Sequence, residues 1–133
     1  MSMTYQDFLT KVIDEGIAEV RKHYTAEKDR HKLEGAEAGF ELCRGKTPVV
    51  LLHELVKARE ASRDAMSGTI EEGGDETLKS YWKLRYTELQ VEWVLNVLSA
   101  GFLANGVQPL VPVTARGMMA AGRILGVTGQ PAV

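Results

Sequence analysis

The stretch that decides the fold is WVLNVLSAGFLA, residues Trp93–Ala104. Its apolar side chains lie nearly all round a helix, interrupted only by Asn96 and Ser99. A helix that is apolar on almost every side is buried, either at the centre of its own domain or by a partner chain. The stretch is too short to cross a bilayer, which takes about 20 residues. It therefore predicts a helical domain built around one buried helix.

The rest of the chain carries the apolar spacing of amphipathic helices, with no alternating strand pattern. The expected fold is all-α, a bundle of four main helices and a short C-terminal one. The predicted helices are 4–24, 26–44, 48–66, 76–104 and 114–125, with a glycine-rich acidic loop after 66. Whether the first two form one continuous helix stays open. We expect a single helical domain over 1–126 and a flexible tail at 127–133.

The Gly45-Lys46-Thr47-Pro48 segment is typical of a helix boundary. A phosphate-binding loop needs Gly-x-x-x-x-Gly-Lys-Ser/Thr after a strand. Here one residue too many separates Gly39 from Gly45, and the preceding segment has helical spacing. We instead expect Gly45 to end one helix, Thr47 to cap the next and Pro48 to take its first position.

The composition narrows the choice of compartment and partner. With 16 basic and 18 acidic residues the net charge is −2, which disfavours a dedicated nucleic-acid binder. Basic residues over 21–32 keep a nucleic-acid-associated helical protein as a further alternative. A single cysteine, Cys43, and the absence of a recognisable leader favour the cytoplasm. No membrane span is expected, and no nucleophile paired with a base stands out.

Histidine and glutamate at positions 53 and 54 resemble the start of a zinc-protease motif. That motif needs a second histidine one turn later, so that two imidazoles hold one metal. Lys57 stands in that position, and its cation would repel zinc. We therefore assign no zinc site here.

Paired carboxylates offer a different metal site. Glu34 and Glu37 form an ExxE pair, and Glu60 and Asp64 form an ExxxD pair on the next helix. The first pair resembles the ExxE of all-α nucleotide pyrophosphohydrolases, whose second motif is ExxD, one residue shorter than here. The resemblance implies a Mg²⁺ site and an enzyme acting on a phosphorylated small molecule. The competing interpretation is a solvated face of ion pairs.

A line of polar residues follows one side of the helix predicted at 76–104, and we call it the polar line. It can be the solvent face of that helix or a polar seam inside a bundle or dimer. The first interpretation is favoured by the local Arg85–Glu88 spacing. The polar line consists of Arg85, Glu88, Glu92, Asn96 and Ser99.

Small residues in two helices predict close helix packing. They occur in EGAEAGF at 34–40 and in the last predicted helix, where two methionines add an adaptable surface. Together with the buried-helix stretch they predict self-association, as a dimer, in an interaction or assembly module with no cofactor of its own. The predicted interface residues are Trp93, Leu98, Phe102, Met118, Met119 and Ile124.

Overall fold

The computed structural model describes residues 3–72 and 74–126, with the backbone alone at 71–72. Within these ranges the chain forms five α-helices and no strand, which confirms the all-α prediction. The helices are α1 (Tyr5–His23), α2 (Arg30–Cys43), α3 (Pro48–Glu72), α4 (Asp75–Ala104) and α5 (Ala115–Leu125). None of them, as far as the chain is described, is both long and apolar enough to cross a membrane. The predicted tail at 127–133 lies outside the described residues.

Helix α4 is the centre of the bundle and contacts each of the other four helices. Its residues Val91, Val94 and Leu95 have no exposed surface. Glycine contacts and side-chain bonds show that α2 runs parallel to α4, while α1 and α3 run antiparallel to it. The chain's own helices therefore bury most of Trp93–Ala104, while Leu103 at its end stays 49% exposed.

Helices α1 and α2 are separate. Tyr24 ends α1 with φ −103° and ψ 77°, and a 3-10 turn over Glu27–Asp29 precedes α2. Thr4 caps α1 by accepting a hydrogen bond from the Asp7 N–H at 3.1 Å, as its position before the apolar spacing predicts. The chain reverses between α1 and α2 without proline or glycine.

Helix α3 is longer than predicted, because it continues to Glu72 instead of ending at 66. The Thr69 hydroxyl lies 2.9 Å from the carbonyl oxygen of Ala65 and 3.3 Å from that of Thr77 in α4. Contact with α4 thus supports the last turns of α3 despite the glycine at 68. The turn itself needs a left-handed residue, which Gly74 supplies with φ 102°.

The Gly45–Pro48 segment is a helix boundary, as predicted. Gly45 has φ 73° and follows the last turn of α2, and Pro48 is the first residue of α3. The Val50 N–H donates weakly to the Thr47 hydroxyl at 3.5 Å. The Tyr5 hydroxyl donates to the Lys46 carbonyl at 2.7 Å, which ties this boundary to α1.

Helices α2 and α4 approach closely where Gly35 and Gly39 face α4. A Cβ atom on Gly35 would lie 2.2 Å from the Lys83 carbonyl oxygen, and one on Gly39 would lie 2.5 Å from that of Thr87. The Thr87 hydroxyl donates to the Gly35 carbonyl at 3.0 Å across the same contact. This packing offsets the roughly 1 kcal/mol that a glycine costs inside a helix and confirms the predicted close approach.

Candidate functional site

The polar line of α4 is buried at three of its five positions. Glu88 is 6% exposed, Asn96 is 9% exposed and Ser99 is not exposed at all. Arg85, at the start of the line, and Glu92, between Glu88 and Asn96, keep about a third to a half of their side-chain surface exposed. The solvent-face interpretation is therefore wrong for the three buried residues. The polar line is a seam between α4 and the segments that cover it.

At one end of the seam, Glu88 joins α4 to α3. The Ser62 hydroxyl donates to Glu88 Oε1 at 2.6 Å, and Arg85 Nη1 lies 2.8 Å from Oε2. Arg59 of α3 reaches both Glu88 and Glu92, each at 3.7 Å. A buried carboxylate is tolerated only when its oxygens are bonded in this way. Glu88 thus fixes the register of the α3–α4 hairpin.

Further along, Asn96 holds the start of α5. Its side-chain amide donates to the Thr114 hydroxyl at 2.9 Å and accepts from the Thr114 N–H at 3.1 Å. The same hydroxyl caps α5 by accepting from the Gly117 N–H at 3.1 Å. A Cβ atom on Gly117 would lie 2.2 Å from Asn96 Oδ1, so only glycine fits without a shift.

At the far end of the seam, Ser99 binds the connection between α4 and α5. Its hydroxyl oxygen accepts from the N–H groups of Leu110 and Val111, at 3.1 and 3.3 Å. These are the donors beside Pro109 and Pro112, in a segment that cannot continue as a helix. Ser99 therefore satisfies backbone groups that the proline-rich connection leaves without helical partners.

The hydrogen bonds of the seam all join it to other parts of the chain. Among the residues that the structure describes, no buried side-chain nitrogen or oxygen lacks a hydrogen-bond partner. The polar atoms of Glu88, Asn96 and Ser99 bind α3, α5 and the connection. The seam aligns segments of the chain and has no polar group aimed at an open cavity.

The carboxylates predicted to share Mg²⁺ are held in separate places. Glu34 lies 3.9 Å from Arg30 and 3.8 Å from Lys83, and Glu37 lies 3.1 Å from Arg21. Glu60 and Asp64 are exposed on α3, which touches α2 only slightly. Within the described ranges, no three His, Cys, Asp or Glu side chains form a group that could hold a metal ion. The predicted convergence of these four carboxylates is not seen.

The predicted interface residues differ widely in exposure. Met118 and Met119 are 55% and 66% exposed on the outer side of α5. Trp93, Phe102 and Ile124 are half-buried. Leu98 is fully buried in the core, so it offers no surface to a partner while the chain is folded in this way. The spacing along α4 could not show that Leu98 is buried, because this part of the helix is apolar on almost every side.

Cys43 lies in the core, as its spacing from Phe40 predicts. It is fully buried, and its thiol donates to the Gly39 carbonyl at 3.3 Å. Burial raises the pKa of the Cys43 thiol to about 12. A thiol that stays protonated and inaccessible is a packing group and not a nucleophile.

An aromatic cluster lies where α1, α2 and α4 meet. Tyr24 and Tyr86 stand edge to face, and the Lys32 ammonium lies 5.8 Å from the Trp82 ring centre and 5.9 Å from that of Tyr86. A shallow depression of about 370 Å³ lies beside Trp82. Its rim mixes lysines with Asp29 and Asp75, so it favours neither sign of ligand charge.

One surface was missed by the sequence-based argument. On the outer side of α3, Val49 is 61% exposed, Val56 is 51% exposed and Ile70 is 76% exposed. The three positions recur at multiples of seven residues and share one line with Arg63. We call these four residues the outer row. The seven-residue spacing of these β-branched residues can be read from the sequence, but their exposure cannot.

Comparison of this chain with protein-family models, curated proteins and solved structures gave no match in any of the three. Its candidate function therefore depends on the surfaces described above.

Proposed function

We propose that this protein is a self-associating assembly module that uses the outer row of α3. The observation that carries the proposal is the exposure of Val49, Val56 and Ile70 along one line of a helix of 25 residues. Isolated exposed apolar side chains are ordinary on soluble proteins. A heptad-spaced row on a single helix is instead the pattern of a helix that packs on another helix.

The opposite side of α3 supports this interpretation. Leu51 and Leu55 already face the core with 0% and 3% exposure, and Ala58 lies behind them. The folded chain therefore cannot bury the outer row by rotating α3, since that would expose the core residues. Burying one aliphatic side chain fully contributes about 1.5–3 kcal/mol. A second copy that covers the row would recover part of that free energy.

Helix α5 supplies a second candidate surface. Its inner face consists of the small residues Gly117, Ala120 and Ala121, while Met118 and Met119 point outward. Methionine is unbranched and adapts to an irregular partner surface. This arrangement supports the predicted role of the two methionines, but α5 has only 11 residues and offers less contact area than α3.

Light scattering on a sizing column tests the proposal. At tens of micromolar protein we expect a mass of two chains, falling towards one chain on dilution. A single-chain mass at every concentration would contradict self-association. The rival magnesium-dependent phosphohydrolase has no observation in its favour, because its four carboxylates do not meet among the described residues.

Paired variants then identify the surface. Val49→Ser with Val56→Ser should weaken association at least tenfold with little change in the unfolding temperature, because both side chains are exposed. Met118→Ser with Met119→Ser is the matched control on α5. If only the α5 pair abolishes association, self-association stands and its surface is α5.

A further inference from the structure

We propose that two copies pair through α3 in an antiparallel arrangement centred between Arg59 and Glu60. This inference rests on the proposed self-association and specifies its partner and geometry. In an antiparallel pair the order of the outer row is reversed in the second copy. Val49 then opposes Ile70 of the second copy, and Val56 opposes its Arg63. The four positions of the outer row are symmetric about this centre, so every member gains a counterpart.

Charges beside the outer row favour the antiparallel direction. Glu60, Arg63 and Asp64 are exposed, and none of them makes an ion pair with any residue in the described ranges. Lys57 lies 3.3 Å from Glu54, one turn away on its own helix. Four charged side chains, two of each sign, thus lie around the centre of the proposed contact with little internal pairing.

The antiparallel arrangement pairs these charges with opposite signs. In this register Lys57 lies opposite Ser62 of the second copy and within one helical turn of its Asp64, and the twofold symmetry forms this Lys57–Asp64 pair twice. The two Glu60 side chains meet near the centre, where both Arg63 side chains come within one helical turn and offset their repulsion. A parallel in-register pair would instead place Lys57 beside Lys57 and Arg63 beside Arg63. Opposed like charges disfavour an arrangement, so the antiparallel one is selected.

The size of the contact sets the expected affinity. A helix of 25 residues is about 37 Å long at 1.5 Å per residue. One helix packed along another covers less than the roughly 800 Å² per partner of a standard stable interface. The dimer should therefore be reversible and concentration-dependent. An amphipathic helix of a different protein is the other possible occupant, and the experiments below distinguish it from a second copy.

Symmetric cysteine cross-linking tests the direction. In the antiparallel pair, position 60 lies close to its own counterpart, whereas position 70 lies opposite position 49. Glu60→Cys should therefore form a disulfide-linked dimer under mild oxidation at tens of micromolar, and Ile70→Cys alone should not. A mixture of Val49→Cys and Ile70→Cys chains should cross-link. The native Cys43 does not interfere, because it is fully buried.

The outcomes separate the inference from the function on which it rests. Self-linking of Ile70→Cys as readily as Glu60→Cys would show a parallel pair and overturn the inference. A dimer by light scattering in which no variant cross-links would also overturn it while self-association stands. A single-chain mass throughout would overturn both and leave a different protein as the occupant.

A charge exchange gives an independent check of the Lys57–Asp64 contact. Lys57→Glu alone and Asp64→Lys alone should each weaken association roughly tenfold, because each replaces two attractive pairs with repulsive ones. The double variant should restore the affinity to within about threefold of the original. Additive loss in the double variant would overturn the proposed register, and thermal unfolding confirms that each variant is folded.

Discussion

The inner polar line of α4 and the outer row of α3 belong to the same helical hairpin and invert the usual distribution of side chains. The polar line is buried at Glu88, Asn96 and Ser99, and the buried side-chain atoms of these residues all have hydrogen-bond partners. The outer row is mainly apolar and exposed, with Val49 and Ile70 more than 60% exposed. The polar line needs nothing beyond the folded chain, whereas the outer row lacks a covering surface. The buried polar groups of α4 therefore support folding, whereas the exposed apolar groups of α3 are available for association.

The largest loss of unfolding free energy is expected on substitution of Glu88. Glu88→Ala removes the acceptor of Ser62 and the partner of Arg85, so unfolding free energy should fall by about 2–3 kcal/mol. The half-exposed arginines can turn to water, which keeps the loss below that of a fully buried pair. Glu60→Ala, on the exposed side of α3, should change it by less than about 0.5 kcal/mol. Urea unfolding at a concentration that favours single chains measures both, and equal losses would contradict the comparison.

The next largest loss of unfolding free energy is expected on substitution of Asn96. Asn96→Ala breaks both bonds to Thr114 and should cost about 1–3 kcal/mol. It should also speed hydrogen exchange across α5 more than elsewhere, because Thr114 caps that helix. Asn105→Ala serves as control, since it loses one bond to the Gly101 carbonyl outside α5. Unchanged exchange in α5 would show that Asn96 does not position it.

Alanine in place of two different glycines should change the stability in opposite directions. Gly117→Ala forces Asn96 to shift, since the new Cβ would lie 2.2 Å from its Oδ1, and should cost about 1–2 kcal/mol. Gly68→Ala meets nothing within 4 Å inside the helix α3, and should stabilise by about 0.5–1 kcal/mol. Thermal unfolding of the two variants measures the difference. Destabilisation by Gly68→Ala would mean that the end of α3 is not helical in solution.

The last effect, which is absent at neutral pH, is a pH dependence in the core. Because burial raises the pKa of Cys43 from about 9 to about 12, the protonated thiol is favoured in the folded state. Its contribution is complete below pH 9 and is lost as the pH rises from 9 to 12. Tyr5 and Tyr24, whose pKa values are raised to about 12 mainly by burial, act in the same direction above pH 10. Cys43→Ala should abolish the decline in unfolding temperature between pH 9 and 10 and lessen the decline between pH 10 and 12, to which both tyrosines also contribute.

Local sequence signals predicted the helices well where capping and spacing agreed. Thr4, Gly45 and Thr114 lie at helix ends as expected, because their conformational preferences need no distant partner. The predicted end of α3 at residue 66 was wrong, because contacts with α4 extend the helix through Gly68 to Glu72. Tertiary packing overrides local propensity at such positions.

The functional surfaces were harder to predict. Hydrophobic spacing could not distinguish buried members of the polar line from solvated ones. Asn96 and Ser99 are covered by the segment that follows α4, whose path back along this helix the sequence does not show. Glu34 and Glu37 lie on one helix and Glu60 and Asp64 on another, and these two helices each pack on α4 and barely touch one another. Such arrangements depend on rotations between helices, which a single sequence does not report.

Helix α4, at the centre of the bundle, is synthesised after two of the helices that pack on it. Helices α1 and α2 precede α4 in the sequence, yet Phe8 packs on Gly101 and Gly35 packs on Lys83. During synthesis at about 5–20 residues per second, both helices leave the ribosome before the surface that covers them exists. Their apolar faces stay accessible for several seconds.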